Sequence, residues 1–126
     1  MKFIVSHLYI FLSIIFATAS QLIIKWRMAA FDLSHMKGPG EKFLFAASML
    51  TDPYIILSIL LTLLSGLSWM IAMTKFDLSY AYPFTALGYV LILICSTLLF
   101  QESLTVPKLL GVLFIVAGIF IVSRSQ

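Results

Sequence analysis

Apolar residues run along this chain in four long stretches, at about residues 3–24, 54–74, 80–100 and 104–122. The short breaks between them hold nearly all of the charge. A helix that crosses about 30 Å of hydrocarbon, at about 1.5 Å per residue, needs about 20 mostly apolar residues. Each stretch therefore predicts one transmembrane helix. Barrel strands alternate apolar and polar over segments of about 10 residues. These runs are longer and do not alternate. The pattern predicts an all-α protein, a bundle of four transmembrane helices forming a single membrane domain over residues 1–126.

Local chemistry marks the helix ends. Asp52-Pro53 puts a capping carboxylate ahead of a proline at the first helical position, which starts the second span. Ser79 can cap the third span, leaving Pro83 in its first turn, where a missing N–H costs little. Asp77 is an alternative cap, and Pro83 then kinks the helix. Thr105 or Ser103 starts the fourth span ahead of Pro107. The first loop, residues 25–53, is long. Met36-Lys37-Gly38-Pro39-Gly40 reads as a turn. The short apolar segment from Glu41 to Leu50 reads as an interfacial helix in preference to an early start of the second span. The second loop has only a few residues, so the second and third spans form an antiparallel hairpin. At the N-terminus, Lys2, an apolar run and Ala17-Thr18-Ala19 imitate a signal peptide. The apolar character continues through Leu22-Ile23-Ile24, which favours an uncleaved first span.

Composition excludes the other classes. Of 126 residues, 62% are apolar and 10% charged, with 8 basic and 5 acidic side chains. Soluble domains carry about a quarter charged residues, and so small a globule could not cover its surface with this set. The same apolar excess excludes disorder. The single cysteine, Cys95, excludes a disulfide scaffold. Charge also biases orientation. Lys2, Lys75 and Arg124 flank one side, and Lys25, Arg27, Lys37, Lys42 and Lys108 the other. That modest excess places the first and third loops in the cytoplasm, and insertion in both orientations stays open.

Within lipid, polar and small side chains turn toward protein. In the first span Ser6, Tyr9, Ser13, Ala17, Ser20 or Gln21, and Lys25 recur at steps of three and four, one stripe of a helix. Ser58, Thr62, Ser65, Gly66, Trp69 and Met73 repeat the pattern in the second. Tyr80, Tyr82, Thr85 and Tyr89 open the third. Serine and glycine stripes favour close helix packing, and Gly111 and Gly118 predict contact between helices or chains. Tyr80, Tyr82 and His7 read as interfacial side chains. The Gln21 amide, in mid-helix, seeks either a ligand or another helix. Lys25 ends the stripe. It either snorkels to the surface or holds an anion such as a phosphate at the mouth of a cavity. If two chains pair upside down, Lys75 of one joins Lys25 of the other at that face.

No His/Cys/carboxylate cluster suggests a metal, and no nucleophile–base spacing suggests an enzyme. Neither a cofactor nor nucleic acid is expected. Four helices are too few to wall off a route for a hydrophilic solute, and related transport folds use repeats of inverted topology. A transport function therefore calls for a homodimer, or a heterodimer with a homologous four-span subunit.

Three segments carry a resemblance to a family: Ala19-Ser20-Gln21-Leu22-Ile23-Ile24-Lys25, then Leu78-Ser79-Tyr80-Ala81-Tyr82-Pro83-Phe84, then Leu109-Leu110-Gly111-Val112-Leu113-Phe114-Ile115-Val116-Ala117-Gly118-Ile119. The chain resembles the four-span members of the drug/metabolite transporter superfamily. These include small multidrug resistance exporters and the small subunits of lipid-linked aminoarabinose flippases. The exporters carry a glutamate eight residues before the lysine that ends the first span, where it binds the proton and the cationic drug; that position here is Ala17. A tryptophan of their drug pocket falls on or near Thr85. The flippase subunits have the Gln-x-x-x-Lys and Ala-Tyr-Pro patterns that Gln21 to Lys25 and Ala81-Tyr82-Pro83 reproduce. The resemblance implies a bacterial inner-membrane protein that moves an anionic, polyprenyl-phosphate-linked monosaccharide between leaflets, toward lipid A modification. Lys25 would meet the phosphate, Gln21 and Tyr82 would hydrogen-bond the headgroup, and Ser20, Trp69 and Thr85 would complete the lining. Two alternatives are a proton-coupled exporter of cations and a non-transporting assembly subunit.

Overall fold

The computed structural model of the protein describes residues 2–124, without the side chains of Lys2, Phe3 and Ser6. The side chains of Lys2 and Ser6, counted above in the flanking charge and the polar stripe, thus lie outside the described residues. Among the described residues six helices follow in order: α1 (Lys2–Met28), α2 (Pro39–Ser48), α3 (Pro53–Ala72), α4 (Leu78–Ala81), α5 (Leu87–Leu99) and α6 (Val106–Ser123), and no strand occurs. Short 3-10 segments sit at Met49–Thr51, ahead of α3, and at Tyr82–Ala86, between α4 and α5. α1, α3, the α4–α5 unit and α6 are the four spans, each long and apolar enough to cross a membrane.

The ends follow from their chemistry. Asp52 is extended and its carboxylate accepts the Tyr54 N–H at 2.8 Å, with Pro53 opening α3. The third span starts from Asp77, whose carbonyl accepts from the Tyr80 and Ala81 N–H groups at 3.1 and 3.0 Å; Ser79 lies inside α4. Pro83 then falls in the second turn of the span, where its missing N–H breaks the helical ladder and the backbone tightens to a 3-10 form. Thr105 precedes α6. Pro39 and Gly40, read above as part of a turn, instead open α2, because proline suits a first helical position. The segment after them is a separate helix, cut off from α3 at Asp52. None of α2 is buried, and Phe43 and Leu44 are among the most exposed side chains of the chain.

Lipid tails are as apolar as leucine, so apolar burial does not drive helices together in a bilayer; close packing and hydrogen bonds do. α1 and α3 form the most extensive helix pair, and serines join them. The Ser20 hydroxyl donates to the Ser58 carbonyl at 2.8 Å and lies 2.7 Å from the Thr62 hydroxyl. One level away, Ser65 donates to the Ser13 carbonyl at 2.8 Å, with the two hydroxyls 3.1 Å apart. Ser20 and Ser58 are 2% and 0% exposed, so the helices meet almost backbone to backbone.

The far end of the bundle holds a mixed core of Ile10, Ile14, Ala72, Tyr80, Ala81, Phe84 and Ile119. Here two expectations are corrected. His7 and Tyr80, read as interfacial, are buried, because the Tyr80 hydroxyl and His7 Nε2 meet at 3.0 Å and satisfy each other's polar tips. The His7 ring also stands edge-on to Phe76 at 4.6 Å. α6 is attached lightly: Ile119 is its one buried side chain among the described residues. A Cβ added at Gly111 or Gly118 would meet nothing within 4 Å, so neither glycine packs a helix inside this chain.

Ser20→Ala removes the donor to the Ser58 carbonyl. Interhelical hydrogen bonds in membranes average about 0.6 kcal/mol, with a maximum near 1.7. A loss in that range is expected in the unfolding free energy measured by denaturing-detergent titration. Ser20→Leu should cost more, because the added methylenes force the two backbones apart; a cost equal to that of alanine would show that the contact is not close-packed.

Candidate functional site: a neutral cleft with a charged mouth

α3 and α5 make no extensive contact with each other; both lean on α1. The gap between them is a cavity of about 620 Å³. α1 contributes Ala17, Thr18 and Gln21, α3 contributes Thr62, Gly66 and Trp69, and the broken third span contributes Tyr82, Thr85, Gly88 and Tyr89. Steps of three and four bring each set to one helix face. Gly66 leaves open space, and a Cβ at Gly88 would already touch the Thr18 hydroxyl at 3.5 Å. Trp69 and Tyr82 stand edge to face across the gap, ring centres 6.2 Å apart. The Thr85 hydroxyl donates to the Tyr82 carbonyl at 2.6 Å, one local tie where proline has weakened the helical ladder. The lining offers hydroxyls, an amide and an indole, and among the described residues it includes no acid, lysine, arginine or histidine. Such a wall can hydrogen-bond a sugar, but it has no charge to offset that of a bare cation.

Charge gathers at one mouth. A second cavity of about 310 Å³ shares Gln21 with the first and adds Lys25, Ser96 and Glu102. Lys25 Nζ lies 4.0 Å from Glu102 Oε1, and the two side chains are 58% and 42% exposed. Glu102 is brought there by a turn. Gln101 has φ 55°, a left-handed conformation that costs a residue with a side chain about 1–2 kcal/mol. The chain thereby folds back, and the Phe100 and Glu102 N–H groups both return to the Ser96 carbonyl, at 3.0 and 3.3 Å. An exposed ion pair at this separation contributes about 0–1 kcal/mol, so the two groups can exchange partners.

The expected site residues sort by position. Gln21, Trp69, Tyr82 and Thr85 line the main cavity and Lys25 stands at its mouth. The Gln21 amide is exposed and makes no hydrogen bond with another described residue. Ser20 is the exception. One residue step turns a helix by about 100°, which points Ser20 at α3 and away from the cleft, where its hydroxyl is already engaged. Glu102 escapes a reading of the sequence, because nothing in the local pattern links a third-loop acid to the end of the first span.

A second pairing is equally invisible in sequence. Arg27 bonds Asp52 Oδ2 through Nη2 at 2.6 Å and Nε at 2.7 Å, and lies over the rings of Phe31 and Tyr54 at 5.3 and 5.5 Å. Asp52 thus caps α3 and tethers the end of α1. The α1 helix has 27 residues and so extends about 40 Å, longer than the hydrocarbon is thick. The tether fixes the protruding turn that carries Lys25. The hydrogen bond from Arg27 holds the Asp52 carboxyl below the usual carboxylate range, against the opposing effect of its partial burial and with help from the Tyr54 N–H.

This arrangement defines a class: a four-span membrane protein with a neutral polar cleft between helices and a charged mouth. Comparison with known proteins names the family. The model of the Small Multidrug Resistance protein family matches residues 43–115. A protein of Serratia proteamaculans, described as a probable 4-amino-4-deoxy-L-arabinose-phosphoundecaprenol flippase subunit ArnF, is 33% identical over 117 residues, covering 90% of this chain and 88% of its own. Proteins of the same description from Yersinia enterocolitica (32% over 115 residues, 90% and 89% covered) and Proteus mirabilis (27% over 122 residues, 94% and 92% covered) are similar along nearly their whole length. The chain belongs to the Small Multidrug Resistance family. It is a multi-pass protein of the inner membrane. No solved structure matches it.

A carboxylate with a depressed pKa stabilises the fold above its ordinary value and ceases to do so as pH falls through the depressed one. The Arg27–Asp52 tether is therefore intact at neutral pH and lost on acidification below the ordinary aspartate value of about 3.9. Asp52→Asn should lower the melting temperature of the detergent-solubilised protein at pH 7 and flatten its dependence on pH in that acid range. An unchanged melting temperature would show that the tether is dispensable.

Proposed function

We propose that the chain is a subunit of a carrier that moves a polyprenyl-phosphate-linked aminosugar across the inner membrane, from the cytoplasmic to the outer leaflet. The observation that supports this best is the neutrality of the cleft. Ala17, at the position where the resemblance to cation exporters would require a glutamate, faces the cavity. A bare cation finds no counter-charge there and a proton no carboxylate. A glycolipid head suits the same wall: hydroxyls and an amide for the sugar, Lys25 at the mouth for the phosphate. The relatives' descriptions point to the same substrate class. The gap between α3 and α5 leaves the lipid tail a lateral path, so the tail never crosses a polar wall.

The proposed working unit contains a second four-span chain, identical or homologous. α6 is almost uncovered and its two glycines face open space, where a second chain would fit. The word subunit in the relatives' descriptions agrees. No covalent chemistry is assigned to the chain; it carries, and binding energy must be similar at both faces for release to follow entry.

The test is leaflet accessibility. Vesicles holding the lipid-linked aminosugar and the protein, alone or with a homologous four-span chain, are exposed to a membrane-impermeant amine reagent. Protein-dependent labelling of the inner pool is expected. Equal labelling with and without folded protein would overturn the proposal. Lys25→Ala should slow labelling at least ten-fold, equivalent to about 1.4 kcal/mol. Gly66→Leu, whose Cβ meets nothing within 4 Å and whose side chain would occupy the cleft, should leave the melting temperature nearly unchanged and abolish transport.

A further inference from the structure

We propose that Lys25 and Glu102 form a divided clamp for a zwitterionic headgroup, with Lys25 taking the phosphate and Glu102 the sugar ammonium. The clamp rests on the carrier function proposed above and adds the determinant by which an aminosugar is told from a neutral one. Glu102 is the one acid among the described residues lining either of the two connected cavities. Its position is built into the fold: the left-handed Gln101 and the return of the Glu102 N–H to the Ser96 carbonyl carry the carboxylate back over the end of α5, beside Lys25. The nearby Lys108 ammonium donates to the Ser103 carbonyl at 2.9 Å.

Chemistry explains why a pair is needed. An aminosugar joined through phosphate to a polyprenol carries one positive and one negative group across a single sugar ring. Lys25 alone would accept any polyprenyl-phosphate sugar, because the phosphate is common to all of them. A carboxylate opposite it adds a favourable partner for an ammonium and leaves an unpaired, partly desolvated acid when a neutral sugar enters. With no substrate bound, the two side chains neutralise each other at 4.0 Å. The substrate presents both charges and replaces each partner with its own, so the mouth never holds an uncompensated charge. Both side chains are long and substantially exposed, which lets the pair open by the width of a ring. Below the mouth, Gln21 is shared by both cavities and can hold the sugar as it passes.

The experiment compares two short-chain ligands, a water-soluble polyprenyl-phosphate aminoarabinose and its N-acetylated form, which differ in charge only at the amine. Binding to the purified complex in detergent is measured by calorimetry. The wild type should bind the amine at least ten-fold more tightly than the amide. Glu102→Gln should bind both alike, more weakly than the wild type binds the amine, and Glu102→Asp should keep part of the preference. Lys25→Ala should weaken both ligands by a similar factor. Melting temperatures confirm that the exposed Glu102→Gln change leaves the fold intact. A wild type that binds both ligands equally, or a Glu102→Gln variant that keeps the preference, would overturn the clamp alone. A wild type that binds neither ligand would overturn the carrier function, and the clamp with it.

Discussion

The structure depends on hydroxyl-to-carbonyl hydrogen bonds between α1 and α3. In a bilayer, burying leucine against leucine gains little over burying it in lipid. What can hold two helices in one register is close backbone approach and a polar contact that finds no substitute among lipid tails. Ser20 with Ser58 and Thr62, and Ser13 with Ser65, supply both. Serine is small enough to let the backbones meet and polar enough to make the meeting specific. Once α1 and α3 are locked, the remaining face of α1 is presented to the third span, and the cleft is the space left over.

The third span forms one wall of that space. Pro83 interrupts its helical ladder, and the 3-10 stretch around it places Tyr82 and Thr85 in the cavity wall. At the same end, the buried His7–Tyr80 contact and the aromatic cluster around it anchor the short α4. One end of the bundle is thus packed with aromatic rings. The other carries the Lys25–Glu102 pair, beside the Arg27–Asp52 tether and the turn at Gln101.

Much of the fold was legible because hydropathy is a local property. Twenty consecutive apolar residues mean a membrane helix whatever they pack against. Asp52-Pro53 was equally readable, since a capping carboxylate and a first-turn proline act over a few residues. Asp77 and Ser79 were both chemically sound caps, and only packing of Tyr80 and Ala81 into the core decided between them. Pro39 was misplaced for a related reason: proline serves turns and helix starts alike. The polar stripe located the cleft face to within one residue. Ser20 and Gln21 are adjacent, and a helix rotated by one residue step would exchange their roles.

The sequence by itself determined four spans, an interior without an acid, and a lysine at the end of the polar stripe. These follow from side-chain chemistry and short-range periodicity, which need no knowledge of neighbours. Tertiary structure alone decided that Ser20 joins α3, that Asp52 holds Arg27, that Tyr80 meets His7, and that Glu102 stands across from Lys25. Each of these pairs links residues far apart in the chain. Their meeting depends on helix rotation, on a proline break and on one left-handed residue, quantities that no local pattern encodes.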